Sequence, residues 1–302
     1  MKGHPAFTQR ARIAAFVFVV PMLTAISLRA GEIHDAAAAG DLNRVRALLA
    51  ADPTLLESKG DLGFTPLLSA CANQRVGVAN FLLDKGADVK VRDRFQMTPL
   101  HRASYSYVQG QDLTLVQRLI DKGADVNARG NNGLIPLHQA AQSGGIKLAQ
   151  LLLDNGADIN SYDKYSGPIG SASISGTVLQ VAINFNPKEE MATFLVERGA
   201  KLNKKDSSGN TELHLAALKG YSDLTRHLVE HGADVNALNE HGRSALYYAA
   251  RHGYRRTAET LIAAGAKESG IGEGNYGKAA QLTAPLGDGR LGFGPWAAAD
   301  TP

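Results

Sequence analysis

The sequence predicts an all-α solenoid of about seven helix-turn-helix units joined by hairpin-like fingers, with an N-terminal signal peptide and a flexible C-terminal tail. Two recurring signatures and the composition predict it. The first signature runs Lys85-Gly86-Ala87-Asp88-Val89 and recurs at Gly123, Gly156, Gly199, Gly232 and Gly265, with spacings of 37, 33, 43, 33 and 33 residues. Three equal spacings and two longer ones describe a fixed unit with two insertions. The second signature keeps step with it. It begins at Thr65, Thr98, Ile135, Thr177, Thr211 and Ser244, and lies 21 positions before the next signature glycine in four of the six copies. Finally, hydrophobic residues make up 44% of the chain but aromatics only 6%, so small aliphatic side chains must do the packing, as closely stacked short helices require.

Taken in order, residues 1–30 read as a secretory signal peptide. Lys2, Arg10 and Arg12 form a basic start, Ile13 to Ile26 is apolar apart from Thr24, and Ala25-Ile26-Ser27 offers small residues for cleavage, with Ala30 as a second candidate. The apolar run is shorter than the ~20 residues of a spanning helix. An uncleaved anchor is the alternative. Lys2, Arg10, Arg12 and Arg29 meet no acid in this segment, so the rest of the chain holds 28 basic residues against 29 acidic ones, although the whole carries +3. A near-neutral body without a basic stripe argues against a nucleic-acid partner, because such binding rests on neutralising phosphates.

Residues 31–267 form the repeat domain. Ile33 to Pro53 has a helical pattern without the Thr-Pro-Leu box and places Asp35, Asp41, Arg44 and Arg46 outward, as a capping unit should. Within each full unit Thr98 suits a helix N-cap and Pro99 the first helical position, which lacks no N–H that it needs. Leu100 and Ala103 then point inward. Leu148, Leu151 and Leu152 form the apolar stripe of a second helix, expected to be buried, and Gly156 ends it at a position that wants positive φ. After Asn160 the chain reverses as a finger. One unit cannot bury its own apolar face, so neighbours must stack. The closing unit is atypical too, with Tyr247 for His and Ala245 for Pro. Residues 268–302 contain eight glycines and no apolar period, which reads as a flexible tail.

The box Thr98-Pro99-Leu100-His101-Arg102-Ala103, together with Gly232-Ala233-Asp234-Val235-Asn236 at a 33-residue period, resembles the ankyrin repeat over about residues 33–267. With the leader, the chain resembles the exported bacterial type, which implies a periplasmic or secreted protein. The resemblance implies a non-enzymatic module that binds a protein on the concave surface made by finger tips and first helices. In the tail, Asn275-Tyr276-Gly277-Lys278 and Leu282-Thr283-Ala284-Pro285-Leu286 resemble the join to a metallo-β-lactamase-like hydrolase. The alternative function is therefore a regulatory or targeting domain of such an enzyme, truncated or acting in trans.

Candidate chemistry is sparse, and no catalytic, cofactor or metal set is expected. Gly272, Gly277 and Lys278 imitate a phosphate loop, but Ala279 lacks the hydroxyl that would hold magnesium and no strand precedes it. His101, His138 and His214 share one repeat position, and the resemblance gives them a structural role linking neighbouring repeats. Cys71, the single cysteine, stands where other repeats carry Ala141, Ala217 or Ala250, a small buried slot. Asp88, Asp125, Asp158 and Asp234 each follow a Gly-Ala turn and are expected to bond local backbone.

The positions that vary between repeats, counted from the box, give the expected partner site. They are Phe64, Arg94, Phe95, Met97, Tyr105, Asn131, Asn132, Leu134, Gln142, Arg243 and Arg251, all expected to be exposed. Tyr162 and Tyr165 of the long Ser161–Gly176 finger join them. Aromatic residues and Arg commonly anchor interfaces. The expected partner is a protein, with no nucleic acid and no stable membrane insertion after cleavage, bound by a monomeric chain.

Overall fold

The computed structural model describes residues 31–106, 112–131, 133–163, 176–186 and 188–267. The expected leader, the tail with its phosphate-loop-like and hydrolase-like motifs, Asn132, Tyr165 and most of both insertions lie outside them. Among the described residues no helix is long and apolar enough to cross a membrane.

The chain forms two compact units, the first reaching Asn131 and the second continuing from Asn132. In the first unit, helices α1 (31–39) and α2 (Leu42–Ala51) make the capping pair, α3 (Pro66–Ala72) and α4 (Val76–Asp84) the next, and α5 (Pro99–Tyr105) and α6 (Thr114–Asp121) the third. The helices α3 and α5 are short because each opens on a Thr-Pro start and closes within about two turns. Thr98 Oγ1 accepts from His101 N–H, and Pro99 follows at the first position. First helices stack on first helices, α3 on α5, while the second helices α2, α4 and α6 form their own layer. Leu67, Leu68, Leu82, Leu100, Leu115 and Leu119 fill the space between and are fully buried. Arg118 and Asp84 pair across the second-helix layer. The outward placement of Asp35, Asp41, Arg44 and Arg46 is as expected for a cap.

The second unit repeats the plan with α7 (Pro136–Ser143) and α8 (Ile146–Asp154), α9 (Val178–Phe185) and α10 (Glu190–Glu197), α11 (Glu212–Lys219) and α12 (Ser222–Glu230), and α13 (Ala245–Arg251) and α14 (Arg255–Ala263). Here α7, α9, α11 and α13 stack in sequence, and α10, α12 and α14 pack beside one another. Gly156 follows α8 at φ +86°, the left-handed turn that the sequence reserves for glycine. Leu148 and Leu152 are fully buried, but Leu151 is only half-buried. The apolar stripe is therefore narrower than three successive leucine contacts would make it. The long finger begins and ends as an antiparallel pair, with β1 (Tyr162–Asp163) against β2 (Gly176–Thr177).

The recurring polar residues explain why their positions recur. Asp88, Asp125, Asp158 and Asp234 each accept a hydrogen bond from the backbone N–H two residues on, at 2.8–3.0 Å, and so close the turn after the Gly-Ala step. The asparagine of the same signature reaches the next repeat. Asn160 Oδ1 accepts from Lys201 N–H at 2.7 Å, Asn203 from Asp234 at 2.8 Å and Asn236 from Lys267 at 2.7 Å. The repeat signature alone assigns this asparagine no task.

Candidate interaction surface

The histidines are structural. His214 Nδ1 accepts from Thr211 N–H at 3.2 Å, so its proton sits on Nε2, which donates to Arg243 O of the following repeat at 2.9 Å. Burial lowers its proton affinity, which keeps the ring neutral and both bonds intact. His101 and His138 make the same first bond, to Thr98 N–H at 3.2 Å and Ile135 N–H at 3.3 Å. Cys71 is fully buried and its thiol proton affinity is pushed up by that burial, so it is the small core residue its slot implies. Among the described residues no group of three or more His, Cys, Asp or Glu is placed to hold a metal.

In the first unit the fingers build a surface around Arg102. Its guanidinium lies 4.8 Å from the centroid of the Phe64 ring and 5.7 Å from that of Phe95. Asp93 holds it there: Arg102 Nε donates to Asp93 Oδ2 at 2.8 Å, and Nη2 donates to the same oxygen. The carboxylate is itself buried, and its other oxygen accepts from Phe95 N–H at 2.8 Å and Met97 N–H at 3.0 Å. One acid thus fixes both the finger turn and the arginine. Phe95 is 51% exposed and Tyr105, one turn beyond Arg102 on α5, is 64% exposed. Leu62 is also exposed, while Phe64 is half-buried. Arg94 and Asn131 are exposed, and Asn131 ties neighbouring fingertips by donating its N–H to Phe95 O at 3.0 Å and Nδ2–H to Arg94 O at 3.1 Å.

Two expected contact residues do not belong to any surface. Met97 is only 9% exposed and Leu134 only 4%. Both sit just before the N-cap of a first helix. In the Met97 case the finger turn closes back on itself, Asp93 N–H donating to Met97 O at 3.1 Å, and the apolar side chain at its inner end is taken into the core. Arg102 was not anticipated, although the fifth position of its box differs from Ser69, Gln139, Val181, Leu215 and Tyr248 in the others.

The second unit uses its expected residues differently. Arg243 lies 4.9 Å from the Tyr247 ring and Arg251 Nη1 donates to Tyr247 Oη at 2.9 Å, so both brace a buried tyrosine, and both are half-buried. Tyr162 is half-buried with Lys204 Nζ 4.9 Å from its ring. Gln142 is half-buried on α7.

A stack of short helix pairs with varied fingertip side chains and a recurring polar framework is a binding scaffold of the helical-repeat class. The family model of ankyrin repeats (three copies) matches residues 33–129, 93–163 and 171–269, and the chain belongs to the ankyrin-repeat family. Such repeats serve as protein–protein interaction modules and are generally non-enzymatic. The chain is similar to Inversin of Gallus gallus, 39% identical over 75 residues, which is 25% of this chain and 7% of that protein. It is similar to the probable E3 ubiquitin-protein ligase XBOS31 of Oryza sativa subsp. japonica, 43% identical over 70 residues, 23% of this chain and 16% of that one. It is similar also to the NAD-capped RNA hydrolase NUDT12 of Homo sapiens, 31% identical over 74 residues, 24% of this chain and 16% of that one. The chain therefore spans no more than 16% of the length of these relatives.

Proposed function

We propose that the protein is an exported, monomeric binding module whose partner protein docks on the first unit, against Phe95, Tyr105 and the edge of Phe64, with Arg94 and Asn131 at the margin. The observation that carries this reading is Arg102 held between two aromatic rings by a buried Asp93. A fixed guanidinium flanked by exposed aromatic area loses little freedom on binding and has the composition of an energetic anchor. Solvent-exposed apolar side chains gathered in one place favour cover by a partner. Arg243 and Arg251 are occupied with Tyr247 and contribute framework rather than contact.

The test is affinity capture from a periplasmic fraction with wild type and with Phe95→Ala/Tyr105→Ala. Both side chains are more than half exposed, so the melting temperature stays within about 1 °C. A protein retained by wild type is expected to be lost by the double variant, a cost of ~2 kcal/mol or more. Equal retention by both refutes the site. Export rests on the basic, apolar and small-residue order of residues 1–27. Intact mass of the protein from the cell envelope should correspond to a chain starting between Leu28 and Gly31, and a full-length cytoplasmic mass refutes it.

A further inference from the structure

The second-helix layer of the first unit holds a pocket that the docking surface does not use. Arg46, Leu49 and Ala50 lie at the spacing that puts them on one face of α2, and Pro53 and Leu56 belong to the short 3-10 turn (Pro53–Glu57) that follows an extended Asp52. Opposite stands Phe81 of α4, with Lys85 four residues on, at the helix end. Arg46, Leu49, Pro53, Leu56, Phe81 and Lys85 line a concavity of about 380 Å³. That size lies within the ~300–1,000 Å³ of small-molecule sites, and the floor is apolar, as such sites are.

The rim is cationic and unneutralised. Arg46 lies 5.3 Å and Lys85 5.7 Å from the centroid of the Phe81 ring. Among the described residues neither side chain makes an ion pair or a hydrogen bond. Of the acids nearby in sequence, Asp84 pairs with Arg118, while the side chains of Asp52 and Glu57 turn to backbone groups and accept from Thr54 N–H and Asp88 N–H. Two like charges share one aromatic ring, an arrangement in which cation–π attraction is set against their mutual repulsion. An anion received by both removes that repulsion, and an apolar body attached to it displaces water from Leu49, Pro53, Leu56 and Phe81.

The geometry points to a binding site for a small amphiphilic carboxylic acid, its apolar chain or ring in the pocket and its carboxylate on Arg46 and Lys85. This site is separate from the protein-docking surface and does not depend on it. Decanoate is the probe, titrated calorimetrically below its aggregation concentration, with decanol and acetate as controls. Decanoate is expected to bind saturably, one molecule per chain, with decanol and acetate each weaker by about tenfold or more. Arg46→Gln/Lys85→Gln should lower decanoate affinity by about tenfold and leave decanol unchanged. Both side chains are exposed, so the variant is expected to melt as wild type does. Decanol binding as tightly as decanoate, acetate binding as tightly as decanoate, a double variant that binds like wild type, or uptake without saturation each overturns the proposal.

Discussion

Glu212 gives the sharpest test of how this array holds together. It stands at the first position of α11, where the other boxes carry Pro66, Pro99, Pro136, Val178 and Ala245, so an acid occupies an apolar slot. It is 1% exposed, and among the described residues neither carboxyl oxygen makes a hydrogen bond of ordinary geometry. Burial pushes the carboxyl from 4.5 to about 7; Asp206 acts in the same direction, and the backbone N–H groups of Glu212, Asn203 and Lys204 oppose it incompletely. At ~1.36 kcal/mol per tenfold change in proton affinity, holding the anion in the folded state costs ~3 kcal/mol. The sign follows from proton counting. Between 4.5 and about 7 the unfolded chain has released this proton and the folded one has kept it, so stability falls as pH rises through that window and then levels. His214 slopes the other way, because a buried ring with lowered proton affinity loses stability as pH falls. Glu212→Gln removes only the first effect. Urea unfolding of both proteins across about pH 4.5 to 8, followed by circular dichroism, should give a stability difference that grows by ~3 kcal/mol toward the alkaline end. A difference that stays flat with pH refutes the argument that burial of this carboxyl is only partly compensated.

Two further outcomes follow from the geometry. Leu152→Ala should cost ~2–5 kcal/mol in urea unfolding, while Leu151→Ala, half-buried one position earlier, should cost clearly less; equal costs would contradict the packing described. Asp93→Ala should cost ~3–5 kcal/mol, because it strands the partly covered Arg102 and frees two finger N–H groups, and should weaken partner capture as well; unchanged stability would show that the acid does not hold the finger.

Much of the fold was legible because the same physical demands recur in every unit. Thr98-Pro99 states a helix start in two letters, and Gly156 states a stop, so the helix pairs could be placed from the chain alone. The turn role of Asp88 and its counterparts followed from residue type and position. The contact surface was less legible. Counting from the box placed Met97 and Leu134 outside, because position fixes where a backbone goes and not which way an apolar side chain turns when a closed finger offers it a dry interior. Arg102 escaped for the opposite reason. Its importance comes from Phe64 and Phe95 in two different fingers, and from an acid nine residues upstream, and no local pattern joins these. The inter-repeat asparagines sat in plain view, but their partner is a backbone N–H of the next unit, which has no sequence signature.

The buried thiol of Cys71 has a practical consequence. It is the only cysteine in the chain and is wholly enclosed in α3. An alkylating reagent can reach its sulfur only while α3 is parted from its neighbours. The labelling rate of the folded protein, divided by that of the denatured chain, is then the fraction of time this helix spends open. A single unaltered atom thus serves as a local clock for the first unit. Following it in the Asp93 and Leu152 variants would show whether loosening one repeat is felt by the helix that carries Cys71 or stays where it was made.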